Sequence, residues 1–553
     1  MNNAELIVGM LERAGVRWVF GVPSGPVLPL IEALRRSTGV DYVLTASETS
    51  AGFMAEAVGR LTGVPGVCVS TVGPGATNLA TGVGGAWLDR SPVLAITCTY
   101  ARAKLGRRTQ MLIDHQALFA PLTKGSARLG DGPEDGPKDG LEERGVAEGI
   151  AWALTLAVTE PPGPVHLELP EDVALAEASS AEGRQPRPEH ADAARRPAPP
   201  ADVGAEVRLL LEAAERPLVV AGLTFTRSAA PGRLLRFIET QRLPFVTTMH
   251  AKGFLPESHP ACLGVMGRAR RTDVQRMIEQ ADLLIAVGFD PVEIDYEEWA
   301  GQTPVVHLST EPVQPGTDAN VVYEGVGGLD ATLDALAALD PVPNRWDAAE
   351  WSAHREALAS ALRPPTASMA AYHVIDVLRD VLPADAILTY DVGAHTHQIA
   401  AQWSTDLPHT AVSTNGWSSM GYGMPAAYAA KLAHPERTVL ALIGDGCFQM
   451  TVGELATAAR LGLEVPTVVL NDGWLGLMKV KQERLGYGSS AALLGGAPEL
   501  PEPPAHYFGV PVRGVRDEAA LRSALEWALD RDGPSVIEAF IDVGPYSETV
   551  FDQ

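Results

Sequence analysis

The sequence is poor in cysteine, in basic charge and in long apolar runs. Its 553 residues hold four cysteines, Cys68, Cys98, Cys262 and Cys447. None forms a CxxC pair and three lie in or beside apolar or glycine-rich runs, which reads as reduced, buried thiols in a cytoplasmic protein. Lys and Arg number 43 against 68 Asp and Glu, a net charge of −25. Such an excess repels nucleic acid and anionic membrane, so neither is expected as a partner, and the acidic surface reads as solvated skin. No uncharged apolar run approaches the roughly 18–20 residues that span a bilayer. Residues 1–15, with Leu6, Ile7, Met10 and Leu11 at helical spacing, predict an amphipathic helix and not a signal peptide. No short tandem repeat is visible.

What is present is ordinary globular material, 46% hydrophobic and 20% charged, in a chain too long for one core, since domains hold roughly 100–200 residues. Short apolar runs alternate with helical patterns throughout, the signature of an α/β fold. Proline- and alanine-rich stretches divide the alternation. The expected organisation is three doubly wound parallel-sheet domains at 1–172, 201–340 and 366–553, joined by connectors at 173–200 and 341–365.

The third domain carries the chemistry. A predicted strand, Val439–Ile443, ends in Gly444–Asp445–Gly446; after 24 intervening residues the next ends in Asn471–Asp472–Gly473. Asp445 and Asp472 should therefore emerge at the carboxyl ends of two parallel strands joined by one crossover, where open α/β sheets bind ligands. The flanking glycines and the following helix N-terminus suit a diphosphate. Mg²⁺ prefers six oxygens from carboxylates, phosphates and water, so the two aspartates are a candidate cation site. Gly-Asp-Gly alone is also an ordinary tight turn; the spacing and the second acid favour the cation. His395–Thr396–His397 lacks a third ligand and does not point to zinc.

These segments resemble the thiamine-diphosphate enzymes that include acetolactate synthases, pyruvate oxidases and 2-oxo acid decarboxylases, and the resemblance covers nearly the whole chain. It implies a pyrimidine-binding first domain, a central domain and a diphosphate-binding third domain. By the same likeness Gly444, Asp445 and Gly446 hold a metal diphosphate, with Asp445, Asp472 and the Trp474 carbonyl as Mg²⁺ ligands. Asp472 stands where asparagine is commoner, as in fermentative acetolactate synthases. The segment Thr45–Ala57 resembles the one whose glutamate, here Glu48, touches the aminopyrimidine. A carboxyl group there favours the imino tautomer that removes the thiazolium proton; taken alone, Glu48 is equally a carboxylate at a helix N-terminus. Gly73–Asn78 resembles the family's glycine loop. Gly416–Gly423 resembles the segment beneath the cofactor, with Met420 as apolar wedge and Ser418 as a backbone contact, although methionine also fills core gaps. Asp114–Phe119 resembles an active-site loop, in which His115 is either a substrate contact or a surface residue.

The reaction follows from what stands at the expected acid positions. Decarboxylases of the pyruvate type have an acid after the Gly-Val-Pro-Gly turn, a His-His pair and a glutamate six positions past the second metal ligand. This chain has Gly25, His115 alone, and Met478. The resemblance therefore implies a carboligase, with Gly25 offering backbone N–H to a substrate oxygen; the alternative is a non-oxidative decarboxylase releasing an aldehyde, and a third is a non-catalytic cofactor-binding scaffold. Met111 replaces a usual glutamine and Lys481 a usual tryptophan. Lys481 is either an anchor for an anionic acceptor or a solvated lysine. Gly288–Ile294 resembles the flavin-free fermentative enzymes, so FAD is not expected. A homodimer or homotetramer is implied, and Leu485–Ala505 is expected as a lid.

Overall fold

The structure is a computed structural model that describes residues 1–130, 142–178, 200–494 and 501–550. Two compact units are present. The first gathers the described residues of Met1–Arg195 with Gly416–Glu436 and Thr451–Leu463; the second gathers Arg196–Asn415, Arg437–Met450 and Glu464–Gln553.

In the first unit, β1 (Trp18–Gly21), β2 (Asp41–Leu44), β3 (Gly66–Ser70), β4 (Val93–Thr99), β5 (Ser126–Gly130), β6 (Glu143–Gly145) and β7 (Pro164–Pro170) form one parallel sheet. Its order is β2-β1-β3-β4-β7-β5-β6. The winding direction reverses between β1 and β3, which places the ligand crevice at their carboxyl ends. The expected N-terminal helix spans Asn3–Arg13, closed by a reciprocal capping box between Asn2 and Glu5.

The second unit holds two sheets. The central one, parallel throughout, contains β8 (Pro217–Ala221), β9 (Phe245–Thr247), β10 (Cys262–Val265), β11 (Leu283–Val287), β12 (Val305–Ser309) and β13 (Val321–Val326) in the order β10-β9-β8-β11-β12-β13. The other contains β14 (Ile387–Tyr390), β15 (Ala411–Val412), β16 (Val439–Gly444), β17 (Pro466–Asn471), β18 (His506–Tyr507), β19 (Val510–Val515) and β20 (Ser535–Phe540), in the order β15-β14-β16-β17-β20-β19-β18. Only the edge pair β18–β19 is antiparallel among its pairings. The fold class is thus α/β with three parallel-dominated sheets. The inner strands β11 and β16 are buried at every residue, which is why they read as continuous apolar runs and not as alternating ones.

The stretch 341–365, expected as a connector, carries a helix at Ala348–Ala361. Trp351 and Leu358 join the core of the central sheet, and Arg355 Nη1 donates to the carbonyls of Glu257, His259 and Cys262 at 3.2, 2.9 and 2.8 Å. Its prolines flank a helix that the composition obscured. Most of 173–200 lies outside the described residues. All four cysteines are buried and free, and no described helix is long and apolar enough to cross a membrane.

Candidate active site

Three loops leave the carboxyl edge of the first sheet at its switch point. After β2, Ser47 caps the helix Glu48–Thr62 by accepting from Ser50 N at 3.2 Å, which places Glu48 in the first turn, where the dipole favours an anion. After β3, Gly73 opens the helix Pro74–Leu88. Asn78 on that helix donates its Nδ2–H to Glu48 Oε2 at 3.1 Å, so the glycine loop and the glutamate are brought together. Gly73 has φ +66°, and a Cβ there would lie 2.3 Å from the carbonyl oxygen of Met111; no side chain fits. Met111 itself has φ +63°, a strained conformation for a non-glycine residue. After β1, Ser24 accepts from Thr71 Oγ1 at 3.1 Å, holding the turn that carries Gly25. A Cβ at Gly25 would meet nothing within 4 Å.

A carboxylate far along the chain supports this edge. Glu454 Oε1 accepts the backbone N–H of Ala46 at 2.9 Å and of Ser47 at 3.2 Å, while Thr457 Oγ1 donates to its Oε2 at 2.8 Å. Sequence reading missed Glu454, because nothing local in a helix reveals a partner 408 residues away.

His115 is buried, so the surface-loop reading does not hold. Its Nε2 accepts the Gly73 N–H at 3.3 Å and its Nδ1 lies 2.9 Å from Thr97 Oγ1. Thr97 in turn lies 2.8 Å from His166 Nε2, and His166 Nδ1 lies 2.7 Å from Ser126 Oγ. With Nε2 accepting, His115 carries its proton on Nδ1 and the chain runs one way. Burial, helped by Arg128, lowers the His115 pKa to about 4, so the ring is neutral at physiological pH. Both nitrogens face protein, which makes His115 a support for the Gly73 amide.

The segment Gly416–Gly423 is tied to the same helix that begins at Glu48. Asp89 Oδ1 accepts the Gly416 N–H at 2.7 Å, and Tyr422 Oη donates to Glu56 Oε2 at 2.6 Å. Arg60 pairs with Glu56 and, at 3.2 Å, with Asp89. Between these anchors Ser418 has φ +51° and is exposed, while Met420 is half-buried.

In the second unit, β14 and β16 flank the switch point of their sheet. Gly444 ends β16; the helix Asp445–Thr451 follows at once. Asp445 Oδ1 accepts from Gly446 N and Oδ2 from Gly473 N, both at 2.8 Å, and Asp472 Oδ1 accepts from Trp474 N at 2.8 Å. The ends of β16 and β17 are thereby joined. Burial raises the Asp445 pKa to about 6, with Glu538 adding to the effect. Burial, then the charge of Asp445, pushes Asp472 well above the carboxylate range. Two confined carboxyl groups, one of them raised further by the other's charge, suit a cation between them. Glu538, also unforeseen, accepts from Asn471 Nδ2 at 3.1 Å and from Tyr507 Oη at 2.8 Å, fixing the residue before Asp472.

His395, set aside as a zinc ligand, proves relevant differently. It starts the helix Ala394–Gln402 after β14 and lies against Gly444, where a Cβ would be 2.8 Å from its Cε1. Its Nε2 is buried without a protein partner, and burial lowers its pKa to about 4. A buried polar nitrogen without a partner is costly; beside a glycine loop and two helix N-termini it suits an anionic diphosphate. The residues present therefore fit a metal diphosphate. Past Trp474, the helix Gly476–Arg484 exposes Met478 and Lys481. Of the expected lid, residues 495–500 lie outside the described residues. Its first part returns to the loop after β17: Leu475 N donates to Ala492 O at 2.7 Å and Leu494 N to Gly473 O at 2.8 Å.

Comparison with known proteins shows the family. Three family models match: "Thiamine pyrophosphate enzyme, N-terminal TPP binding domain" over residues 1–118, its central domain over 205–336, and its C-terminal TPP binding domain over 391–539. The acetolactate synthase isozyme 1 large subunit of Escherichia coli is 30% identical over 551 residues, covering 98% of this chain and 94% of that protein. The probable acetolactate synthase large subunit of Methanocaldococcus jannaschii is 31% identical, covering 98% and 92%. The acetolactate synthase large subunit of Corynebacterium glutamicum is 32% identical, covering 87% and 76%.

Proposed function

The chain belongs to the thiamine pyrophosphate enzyme family, as an acetolactate synthase-like member, and from that premise we propose that it decarboxylates a 2-oxo acid and joins the remaining fragment to a second carbonyl, with Mg²⁺ as the metal. When bound, thiamine diphosphate supplies the carbon nucleophile and accepts the electrons left when CO₂ departs. The protein's residues do the rest. Asp445 and Asp472, with the Trp474 carbonyl, would hold Mg²⁺, and His395 and the Gly444–Gly446 loop would receive the diphosphate. Glu48, oriented by Asn78, holds a proton at the pyrimidine nitrogen and thereby sets the tautomer of the amino group. Ser418 and Met420 shape the pyrimidine seat, and His115 keeps the Gly73 loop in place.

Carboligation rests on Gly25 above all. The space beside it is open, so an acid there would fit, yet the chain carries none, and Met478 is apolar where a glutamate protonates in decarboxylases. Without a nearby acid, protonation to a free aldehyde is slow and a second carbonyl competes. Purified protein with thiamine diphosphate, Mg²⁺ and a panel of 2-oxo acids should release CO₂ and yield hydroxy-ketones by mass. Free aldehyde alone would favour a decarboxylase, and no CO₂ a scaffold.

The proposal includes no flavin. At the switch point of the central sheet, between β8 and β11, Glu293 Oε2 already accepts the Leu223 N–H at 2.8 Å and Oε1 lies 3.0 Å from His250 Nδ1. Phe225 and Phe289 are fully buried beside it. A carboxylate placed on those donors opposes a phosphate there.

A further inference from the structure

The segment Gly416–Gly423 runs without regular structure up to the helix Gly423–Ala433, of which Tyr422 is the N-cap. Ser418 has φ +51° and Gly421 φ +90°, and a non-glycine residue at positive φ persists only where its surroundings hold it. Both ends of the segment are held by carboxylates. Asp89, which ends the helix Pro74–Leu88, accepts the Gly416 N–H at 2.7 Å. Glu56, midway along the helix Glu48–Thr62, accepts the Tyr422 hydroxyl at 2.6 Å. Between these anchors Trp417 lies against Gly84, where a Cβ would be 2.7 Å from its Cζ2.

One guanidinium joins the two anchors. Arg60, a turn past Glu56, donates from Nη2 to Glu56 Oε1 and, at 3.2 Å, to Asp89 Oδ2. Its Nε reaches Ser91 Oγ at 3.4 Å, and Ser91 Oγ donates to Glu56 in turn. The Arg60 Cζ also lies over the Tyr422 ring, 6.0 Å from its centre, where a cation is attracted to the aromatic face. The side chains of Glu56 and Asp89 are 0% exposed and that of Arg60 is 15% exposed. Carboxylates enclosed so fully are costly without a counter-charge, and a branched, planar guanidinium can serve two of them at once. Each carboxylate turns its other oxygen to the segment, Glu56 Oε2 to Tyr422 and Asp89 Oδ1 to Gly416.

We propose that Arg60 is a positioning residue for the pyrimidine seat: by balancing Glu56 and Asp89 together it fixes both ends of Gly416–Gly423, and so the place of Ser418 and Met420 between them. This rests on the seat assigned to that segment above and adds what sets its shape. Arg60 acts through the segment and not by contact with the cofactor.

The test reads amide exchange and ligand binding on the whole chain. Arg60→Met removes the counter-charge, and Tyr422→Phe deletes one hydroxyl while keeping the ring. In the cofactor-free protein, exchange of the peptide spanning 416–423, followed by mass spectrometry, should quicken by about tenfold or more in Arg60→Met and by less in Tyr422→Phe, with β3 unchanged. Calorimetry in Mg²⁺ should show thiamine diphosphate weakened by about tenfold in Arg60→Met, whereas pyrophosphate, which lacks the pyrimidine, binds as to the parent. Adding Tyr422→Phe to Arg60→Met should weaken thiamine diphosphate by a smaller factor than Tyr422→Phe does alone. Arg60→Lys should recover part of both effects; should Arg60→Met fail to fold, Tyr422→Phe and Arg60→Lys carry the comparison. Unchanged exchange of 416–423 in every variant overturns the clamp. Faster exchange with thiamine diphosphate bound as before, or equal weakening of thiamine diphosphate and pyrophosphate, leaves Arg60 a residue of the fold alone and overturns its role at the seat. A parent protein that binds pyrophosphate but no thiamine diphosphate removes the cofactor reading, and the exchange rates still decide the clamp.

Discussion

The amide of Gly473 donates to Asp445 Oδ2 at 2.8 Å, linking the ends of two adjacent parallel strands through one proposed metal ligand and the residue that follows the other. That bond brings the charge of Asp445 to bear on Asp472, and the first prediction follows from it. Asp445→Ala should cost about a hundredfold or more in thiamine-diphosphate affinity in the presence of Mg²⁺, by fluorescence titration, with the circular dichroism of the folded protein retained. Wild-type affinity in that variant removes Asp445 from the site.

Glu48→Gln keeps an oxygen for the Asn78 Nδ2–H but cannot share a proton with the pyrimidine. The cofactor should stay bound, while hydrogen–deuterium exchange at its thiazolium carbon slows by about a hundredfold or more. Unaltered exchange, followed by NMR after rapid quench, would place the proton relay elsewhere.

His115 should couple the first unit's stability to pH. Its pKa is lowered to about 4 from the ordinary value near 6.5. Its contribution is therefore complete above pH 6.5 and is lost as pH falls through 6.5 toward 4, because the unfolded chain takes up the proton first. In denaturant titrations, the stability lost between pH 7 and pH 5 should be smaller by about 2 kcal/mol in His115→Gln than in the parent. An equal loss in both proteins would mean that the buried ring is not the titrating group.

Much of this was legible in the sequence. The Gly-Asp-Gly spacing, the Glu48 segment and the glycine loop each lie within one strand–helix unit, where local pattern fixes strand end, turn and helix start. All three strand-end motifs proved to sit at carboxyl edges. Contacts across the chain were not legible. Glu454 reaches Ala46, Asp89 reaches Gly416 327 residues away, and Ala269 reaches the His397 carbonyl. Only a folded backbone makes such pairs, and no periodicity encodes them. The helix Ala348–Ala361 escaped because prolines on both sides resemble a linker, while Trp351 and Leu358 supply the packing that composition cannot weigh.

Assembly gives the next prediction. The family resemblance implies that Glu48 of one subunit serves the metal diphosphate of another, so light scattering should report a homodimer or larger under assay conditions. A monomer with full activity contradicts that sharing.

Gly25 offers a direct way to redirect the product. Since a Cβ there meets nothing within 4 Å, Gly25→Asp should fold normally and raise the aldehyde fraction by about tenfold at the expense of the ligated product, measured by gas chromatography. Unchanged partition would mean that the turn does not face the reacting carbon.

The central claim is that this chain ligates. Pyruvate is supplied to the purified protein with thiamine diphosphate and Mg²⁺, first alone and then with a second carbonyl in excess, and acetaldehyde and hydroxy-ketone are quantified by mass. CO₂ release with hydroxy-ketone exceeding acetaldehyde is expected in both arms. Contradiction would come from CO₂ release with acetaldehyde as the sole product, however much acceptor is present, repeated across several donor acids.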